Sequence, residues 1–342
     1  MKQEVFDVSA EMGSDIQSTG ETMPPPEGLG IANIAVVGVG GGGGNIVRRL
    51  AERPVTGVTF ICVNTDVKAL QGISSNVVRK VTIGRNITKG FGAGGDVEAG
   101  RAAIVSDRAS LEEMLADRDI VFITAGLGGG TGTGAAPVVA EVARETGAMT
   151  VGMVTLPFSW EGRKRLETAI GGLSRLREKA DNLILVHNDR LTRMVPEEVT
   201  MQEALKLADE AVAQGILVVV DIMNVPGDIN VDLADIKTVL GYPGASLMAI
   251  GEGSGPKGVQ VAVQSALQNP LLDLSINGAK GVLFAVRGGS DVTLHQVNEA
   301  GRTIAKAVDP QAVIFFGLNI DPEMENKFRL TILATGIPEK AS

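Results

Sequence analysis

From Ile31 onward, short apolar runs alternate with amphipathic helix-like stretches, and this alternation restricts the fold more than any other property of the chain. The runs are Ile34 to Val37, Val58 to Val63, Ile120 to Thr124, Met149 to Thr155 and Leu183 to His187. Strands that are apolar throughout and separated by helices imply a parallel sheet covered on both faces, because parallel neighbours need a long crossover. Sheets of this kind bind ligands at the carboxyl ends of their strands. The loops at that edge are therefore where function is to be sought.

Those loops are rich in glycine. Gly128 to Gly134 reads GGGTGTG, directly after the run ending at Thr124 and before the helix-like Ala135 to Ala140. Glycines let the backbone approach an anion and adopt positive φ, the hydroxyls of Thr131 and Thr133 can donate to phosphate oxygens, and a following helix offers unpaired N–H groups. A second cluster, Gly38 to Asn45, follows Ile34 to Val37 and precedes the helical pattern Ile46 to Leu50. A third, Gly92 to Asp96, belongs by composition to the same rim. A single glycine run is adequately explained as a turn, but two of them, each between strand and helix, point to nucleotide binding.

Two classes of nucleotide protein can be weighed at this point. Gly38 to Gly43 fits GxGxxG, and Asp66 follows the second strand where a dinucleotide site wants a ribose-binding carboxylate, so an NAD(P)-dependent oxidoreductase is one reading. A Walker-type NTPase is disfavoured, because neither loop ends in Gly-Lys-Ser/Thr. Phosphates would then be held by backbone amides, glycines and threonines.

Other classes are excluded by what the chain lacks. The formal charge of −9 opposes the polyanionic backbone of nucleic acid, so no nucleic-acid partner is expected. Trp160 and Tyr242 are the single residues of their kinds and offer no platform for a strand of bases. His187 and His295 lie far apart without zinc-ligand spacing and read as structural, so no protein-held metal site is expected. Cys62, the only cysteine, sits in an apolar run as a core residue, which fits a reducing cytoplasm. No basic-then-apolar signal segment opens the chain, and the most apolar window, around Gly215 to Val220, is too short to span a bilayer.

The organisation reads in five parts. Residues 1–30 carry acidic residues, Pro24-Pro25-Pro26 and a single basic residue, Lys2, and are expected to form a disordered arm. Residues 31–198 form the nucleotide domain. Residues 199–224 form a long helix, with a buried stripe through Met201, Leu205, Ala208, Val212, Gly215, Val219 and Ile222. Residues 225–337 show strands near Ser246 to Ile250, Gly281 to Val286, Ala312 to Phe316 and Phe328 to Ala334, with helices near Val259 to Gln268 and Leu294 to Ala307. This region reads as an α+β domain with helices to one side, followed by a short tail, 338–342.

Five segments carry a specific resemblance: GVGGGGGN (Gly38 to Asn45), VNTD (Val63 to Asp66), GGGTGTGAAPVVAE (Gly128 to Glu141), PFSWEGRKR (Pro157 to Arg165) and NVDLADIKTVL (Asn230 to Leu240). In order and spacing they are similar to FtsZ, the tubulin-like prokaryotic cell-division GTPase family, over about residues 31–337. The resemblance implies a Rossmann-type α/β GTPase domain joined by a long central helix to a smaller α+β domain. It also implies GTP and GDP as ligands with Mg2+, and head-to-tail self-assembly into protofilaments of the division ring. The expected location is the cytoplasm at the division site, with membrane-adaptor and other division proteins as partners and no direct membrane binding.

Site residues follow from the same resemblance. Phosphate contacts fall on Gly41, Gly42, Gly43, Gly44 and Asn45, and on Gly128, Gly129, Gly130, Thr131, Gly132 and Thr133. Glu161 and Arg165 match ribose and nucleotide contacts, although residues four apart also make an ordinary helix-face ion pair. Asp209 matches the guanine-reading carboxylate, and Asn188 is a further candidate for ribose or base. Asp232 and Asp235 match the loop that enters the next subunit's site and polarises the attacking water. By themselves they read as a helix N-cap and a first-turn acid, and a non-hydrolysing GTP-binding filament remains an alternative. Two departures from the family pattern stand out: Asp96-Val97 in place of Asn-Pro, which bears on the geometry of that loop, and Leu233 in place of Phe, which bears on subunit packing. The chain stops at Ser342, whereas family members continue into a linker and an adaptor-docking peptide. The expectation is assembly in solution with GTP, and no sedimentation with liposomes unless a partner is added.

Overall fold

A computed structural model describes residues 32–338, apart from 54, 56, 75, 192–197, 225–230 and 269–274. The expected arm at 1–30, Asn230 of the NVDLADIK segment and residues 339–342 of the tail lie outside the described residues. The strands are β1 (Ile34–Val39), β2 (Val58–Asn64), β3 (Val78–Thr82), β4 (Ile120–Gly126), β5 (Met149–Leu156), β6 (Asn182–His187), β7 (Ala245–Ser254), β8 (Gly281–Gly288), β9 (Val313–Ile320) and β10 (Lys327–Ile337). They form one sheet in the order β3-β2-β1-β4-β5-β6-β7-β10-β8-β9. All pairings are parallel except those of β10 with β7 and β8.

The helices are α1 (Gly40–Ala51), α2 (Val67–Gln71), α3 (Arg85–Thr88), α4 (Val97–Ser106), α5 (Arg108–Leu115), α6 (Gly130–Glu145), α7 (Arg163–Lys179), α8 (Asn188–Leu191), α9 (Met201–Asn224), α10 (Leu233–Leu240), α11 (Gly258–Leu267) and α12 (Leu294–Ala307). Strand order reverses at β1: β2 and β3 lie to one side of it, β4 to β6 to the other. The crevice at such a reversal is where α/β sheets bind ligands. Both principal glycine clusters open onto it, because one follows β1 and the other follows β4.

Alternate residues of each central strand enter different cores, as a two-residue period demands. Ile34 and Val36 of β1 join Leu50 of α1, Val212 and Ile216 of α9 and Ile236 of α10. Ala35 and Val37 join Leu115 of α5, Val139 of α6 and Leu176 of α7. Phe122 of β4 is fully enclosed, and truncating such a side chain to Ala costs about 3–5 kcal/mol. Cys62 is buried in the first of these cores, and burial pushes its thiol up to about 12.

Three expectations need correction. The strand β3 was not anticipated from the sequence, because its exposed Arg79 and Lys80 break the apolar run; such charges guard the edge of a sheet. The stripe along α9 is buried at Ala208, Val212, Gly215 and Val219, but Met201 and Leu205 are 46% and 44% exposed. The second half of the sheet carries α11 and α12 on one face, yet its other face is also covered. Leu283 of β8 and Leu333 of β10 enter the same core as α9 and α10, so α9 ties both halves of the sheet into one hydrophobic body. The C-terminal end of α10 is pinned to the sheet, with Asn182 Nδ2 donating to Leu240 O at 2.9 Å and Thr335 Oγ1 donating to Val239 O at 2.5 Å.

Candidate functional site

Four helices leave the carboxyl edge of the sheet beside the β1/β4 crevice, and their first turns fall into two kinds. Asp66 caps α2, its Oδ1 accepting from Lys68 N at 2.8 Å and Ala69 N at 3.2 Å. Asp96 caps α4, its Oδ1 accepting from Glu98 N at 2.9 Å and Ala99 N at 3.1 Å. The carboxylate at position 96 thus does the capping that an Asn would do. Helices α1 and α6 begin at Val39 and Gly129 with no side-chain cap at all. Their first N–H groups and positive dipole ends are left for an anion.

Close backbone packing holds these two starts in place. A Cβ on Gly43 would stand 2.2 Å from the Thr124 carbonyl oxygen, and one on Gly134 would stand 2.1 Å from that of Val97, so neither position admits a side chain. Gly41 and Gly129 differ, since a Cβ there would meet nothing within 4 Å. Their Cα atoms face an open cleft of about 420 Å³.

The cleft gathers most of the anticipated nucleotide residues. Gly41, Gly42, Asn45, Gly129, Gly130, Thr131, Gly132, Glu161, Arg165, Asn188 and Asp209 line it. Gly43 is packed inward. Gly44 opens on a neighbouring cavity shared with Arg48 and Asn64. Gly128 and Thr133 bond each other, the Gly128 N–H donating to Thr133 Oγ1 at 2.8 Å, and they shape the turn rather than line the cleft. Thr131 Oγ1 lies 2.7 Å from Thr65 Oγ1, tying the GGGTGTG segment to the end of β2. Asp66, the ribose candidate of the dinucleotide reading, does not line the cleft.

The far wall combines ion pairs with unmet hydrogen-bonding capacity. Asp209 accepts from Arg49 Nε at 3.4 Å, and its side chain is only 16% exposed. Burial lifts its carboxyl to about 6 against the opposing pull of Arg49 and Arg48, an order that fits the long contact to Arg49. Asn188 is buried with its Oδ1 unpartnered. An orphaned acceptor costs about 1–3 kcal/mol, and a donor in the cleft would relieve it. Glu161 lies in the turn before α7 and pairs with Arg165 of α7 at 3.0 Å, across Gly162, so the pair is not made along one helix face, and the other Glu161 oxygen accepts from Phe158 N at 2.9 Å. Nine of the described lining residues are not among the site residues expected from sequence, among them Trp160 and two residues read there as part of a buried stripe, Met201 and Leu205. Trp160 adjoins Glu161 within the PFSWEGRKR run, and that adjacency was the available signal.

Asp232 and Asp235 are not among the residues lining this cleft. Asp232 is exposed at the start of α10, and its Oδ1 accepts from Asp235 N at 2.7 Å. The N-cap role is therefore realised, and one oxygen of Asp232 and the whole Asp235 carboxylate remain for other partners. Among the described residues no group of three or more His, Cys, Asp or Glu side chains could hold a metal ion, and no helix is long and apolar enough to cross a membrane.

Comparison with known proteins adds an independent line. Residues 33–196 match the Tubulin/FtsZ family GTPase domain, and residues 244–338 match the FtsZ family C-terminal domain. The structure is similar to FtsZ of M. jannaschii solved as an empty dimer, with 40% identity over 89% of this chain and 88% of that one and a TM-score of 0.84. A point variant of the same FtsZ gives 40% identity over 90% of this chain and 92% of that one, with a TM-score of 0.85. CetZ2 from Haloferax volcanii, solved as a GTPγS-bound protofilament, shares the fold at 23% identity, with a TM-score of 0.75 over 90% of this chain and 94% of that one.

Proposed function

The chain belongs to the FtsZ family of tubulin-like GTPases, and from that premise we propose that its subunits stack head to tail, Asp232 and Asp235 of one entering the nucleotide cleft of the next. One observation supports this reading above the others. The cleft has uncapped helix starts, and its carboxylates, Asp209 and Glu161, are both engaged in ion pairs, whereas the start of α10 carries the carboxylates of Asp232 and Asp235, which do not line this cleft. Phosphoryl transfer asks mainly for positioning and charge stabilisation. Dividing the two tasks between subunits makes turnover depend on assembly.

In this reading the amides of α1 and α6 hold the phosphates, Glu161 and Arg165 meet the ribose, Asn188 meets ribose or base, and Asp209 accepts from the edge of guanine. Mg2+ would neutralise developing charge on the phosphate oxygens. In this reading the ion would be carried by the nucleotide's own phosphates. The protein acts in the cytoplasm, at the division site, and reaches the membrane through adaptor proteins. The oxidoreductase reading falls away with the family assignment, and the Asp66 carboxylate it needed caps α2.

The test is phosphate release and 90° light scattering over a range of protein concentrations, with GTP, ATP and NAD compared. Specific activity that rises with concentration, for GTP only and in step with scattering, is the expected result. Activity independent of concentration would overturn the shared site.

A further inference from the structure

Trp160 is the only tryptophan of the chain, and it stands 63% exposed on the wall of the cleft. Exposure alone is ordinary for a surface side chain, since Phe91 and Leu294 are more exposed still; what sets Trp160 apart is that it lines the cleft and is held in place there. Its ring stacks on Phe158, with centroids 5.5 Å apart and planes 22° apart. Phe158 is buried against Ala208, the residue before Asp209. The intervening main chain is fixed as well, Ser159 N donating to Asp189 Oδ1 at 2.8 Å. A supported indole is thus presented to the cleft beside the segment of α9 that carries Asp209, and Leu205 extends the same apolar wall.

We propose that Trp160 is the stacking platform for the nucleobase: the purine lies against the indole while Asp209 accepts from its edge. The proposal rests on the nucleotide reading above and divides the work of recognition. A π face attracts any base, so Trp160 supplies affinity, whereas the carboxylate supplies preference for guanine.

Because no other tryptophan is present, intrinsic emission reports on this residue alone. Wild type is titrated with GDP and with inorganic tripolyphosphate, which has phosphates and no base, at concentrations where no filaments form. Nucleotide retention by chromatography gives the affinity independently of emission. GDP is expected to quench the emission and tripolyphosphate to leave it unchanged. Trp160→Ala should weaken GDP retention about tenfold, Trp160→Phe should recover most of that loss, and in the GTPase reaction the Ala variant's loss should fall on KM rather than kcat.

Equal quenching by tripolyphosphate would show that the indole senses loop closure, and an emission change seen only when GTP filaments form would assign it to the subunit contact; either result overturns the proposal, as does wild-type affinity in Trp160→Ala. The wild-type arms hold even if that variant fails to fold. Failure of wild type to retain any guanine nucleotide would instead refute the nucleotide reading itself, which the chromatography shows without reference to emission.

Discussion

Helices α1 and α6 begin without a side-chain cap and open into a cleft, whereas α10 begins with Asp232 bonded to its own first turn and opens at the surface. The first pair leaves backbone donors free and so suits a polyanion. The second satisfies its backbone internally and leaves carboxylate oxygens free, which suits a polarised water or a partner. Under the proposed function, binding and hydrolysis are separated within one chain, and the difference can be attacked from either side.

The largest effect is expected at α10. Asp235→Ala should lower GTP turnover about 100-fold or more, while the affinity for GTP, measured by nucleotide retention, stays within about twofold. A parallel loss of affinity would merge the two regions into one site. At α6 the contrast can be erased by design, because Gly129 has φ −93° and ψ 175°, open to any residue, and space for a side chain. Gly129→Asp should cap α6 and leave thermal stability equal or higher, yet weaken GTP binding by more than about tenfold through repulsion of phosphate. Undiminished binding by that variant would show that the uncapped N–H groups are not the anion site.

Asp209→Ala should weaken GTP about tenfold and narrow its advantage over ATP, as direct titration of both nucleotides would reveal. The same residue sets a pH dependence. Its carboxyl lies at about 6, above the ordinary value, so it is ionised and able to accept from guanine above that pH and becomes neutral below it. GTP affinity should fall by about threefold between pH 7.5 and 5.5, and this step should vanish in Asp209→Ala. The sign for folding is opposite: burying the charged form costs stability, so Asp209 penalises the fold as pH rises through 6. The smallest effect belongs to Asp232→Ala without nucleotide, a stability loss of about 1 kcal/mol from the missing cap, checked by chemical denaturation.

The sequence made the glycine loops readable because strand, glycine run and helix follow one another without interruption, and the structure gathers both loops at the reversal of strand order. It was less informative where two physical demands share one pattern. The three- and four-residue spacing through Met201 and Leu205 is the same whether a helix faces a core or a cleft, and here it faces a cleft. Asp232 has the spacing of a cap and occupies that position, so pattern alone could not separate capping from a role in hydrolysis. The charges of β3 hid an edge strand, since periodicity weakens where one side of a strand meets water. Trp160 reads from sequence as a solitary aromatic with no role in stacking, because a single aromatic carries no periodic signal and its place on the cleft wall is set only by the fold.

The inward glycines imply that the protein can change in some places and not in others. At Gly43 and Gly134 any side chain would collide with a carbonyl oxygen, so the grip on phosphate proposed for these loops would be fixed by main-chain contact and could not be adjusted in small steps. Trp160, Leu205 and Asp209 reach the same cleft through side chains, which can be exchanged one at a time. A mutational library across the cleft should therefore recover variants with altered base preference far more readily than variants with an altered phosphate requirement, leaving the triphosphate as the inherited constant and the base as the adjustable part.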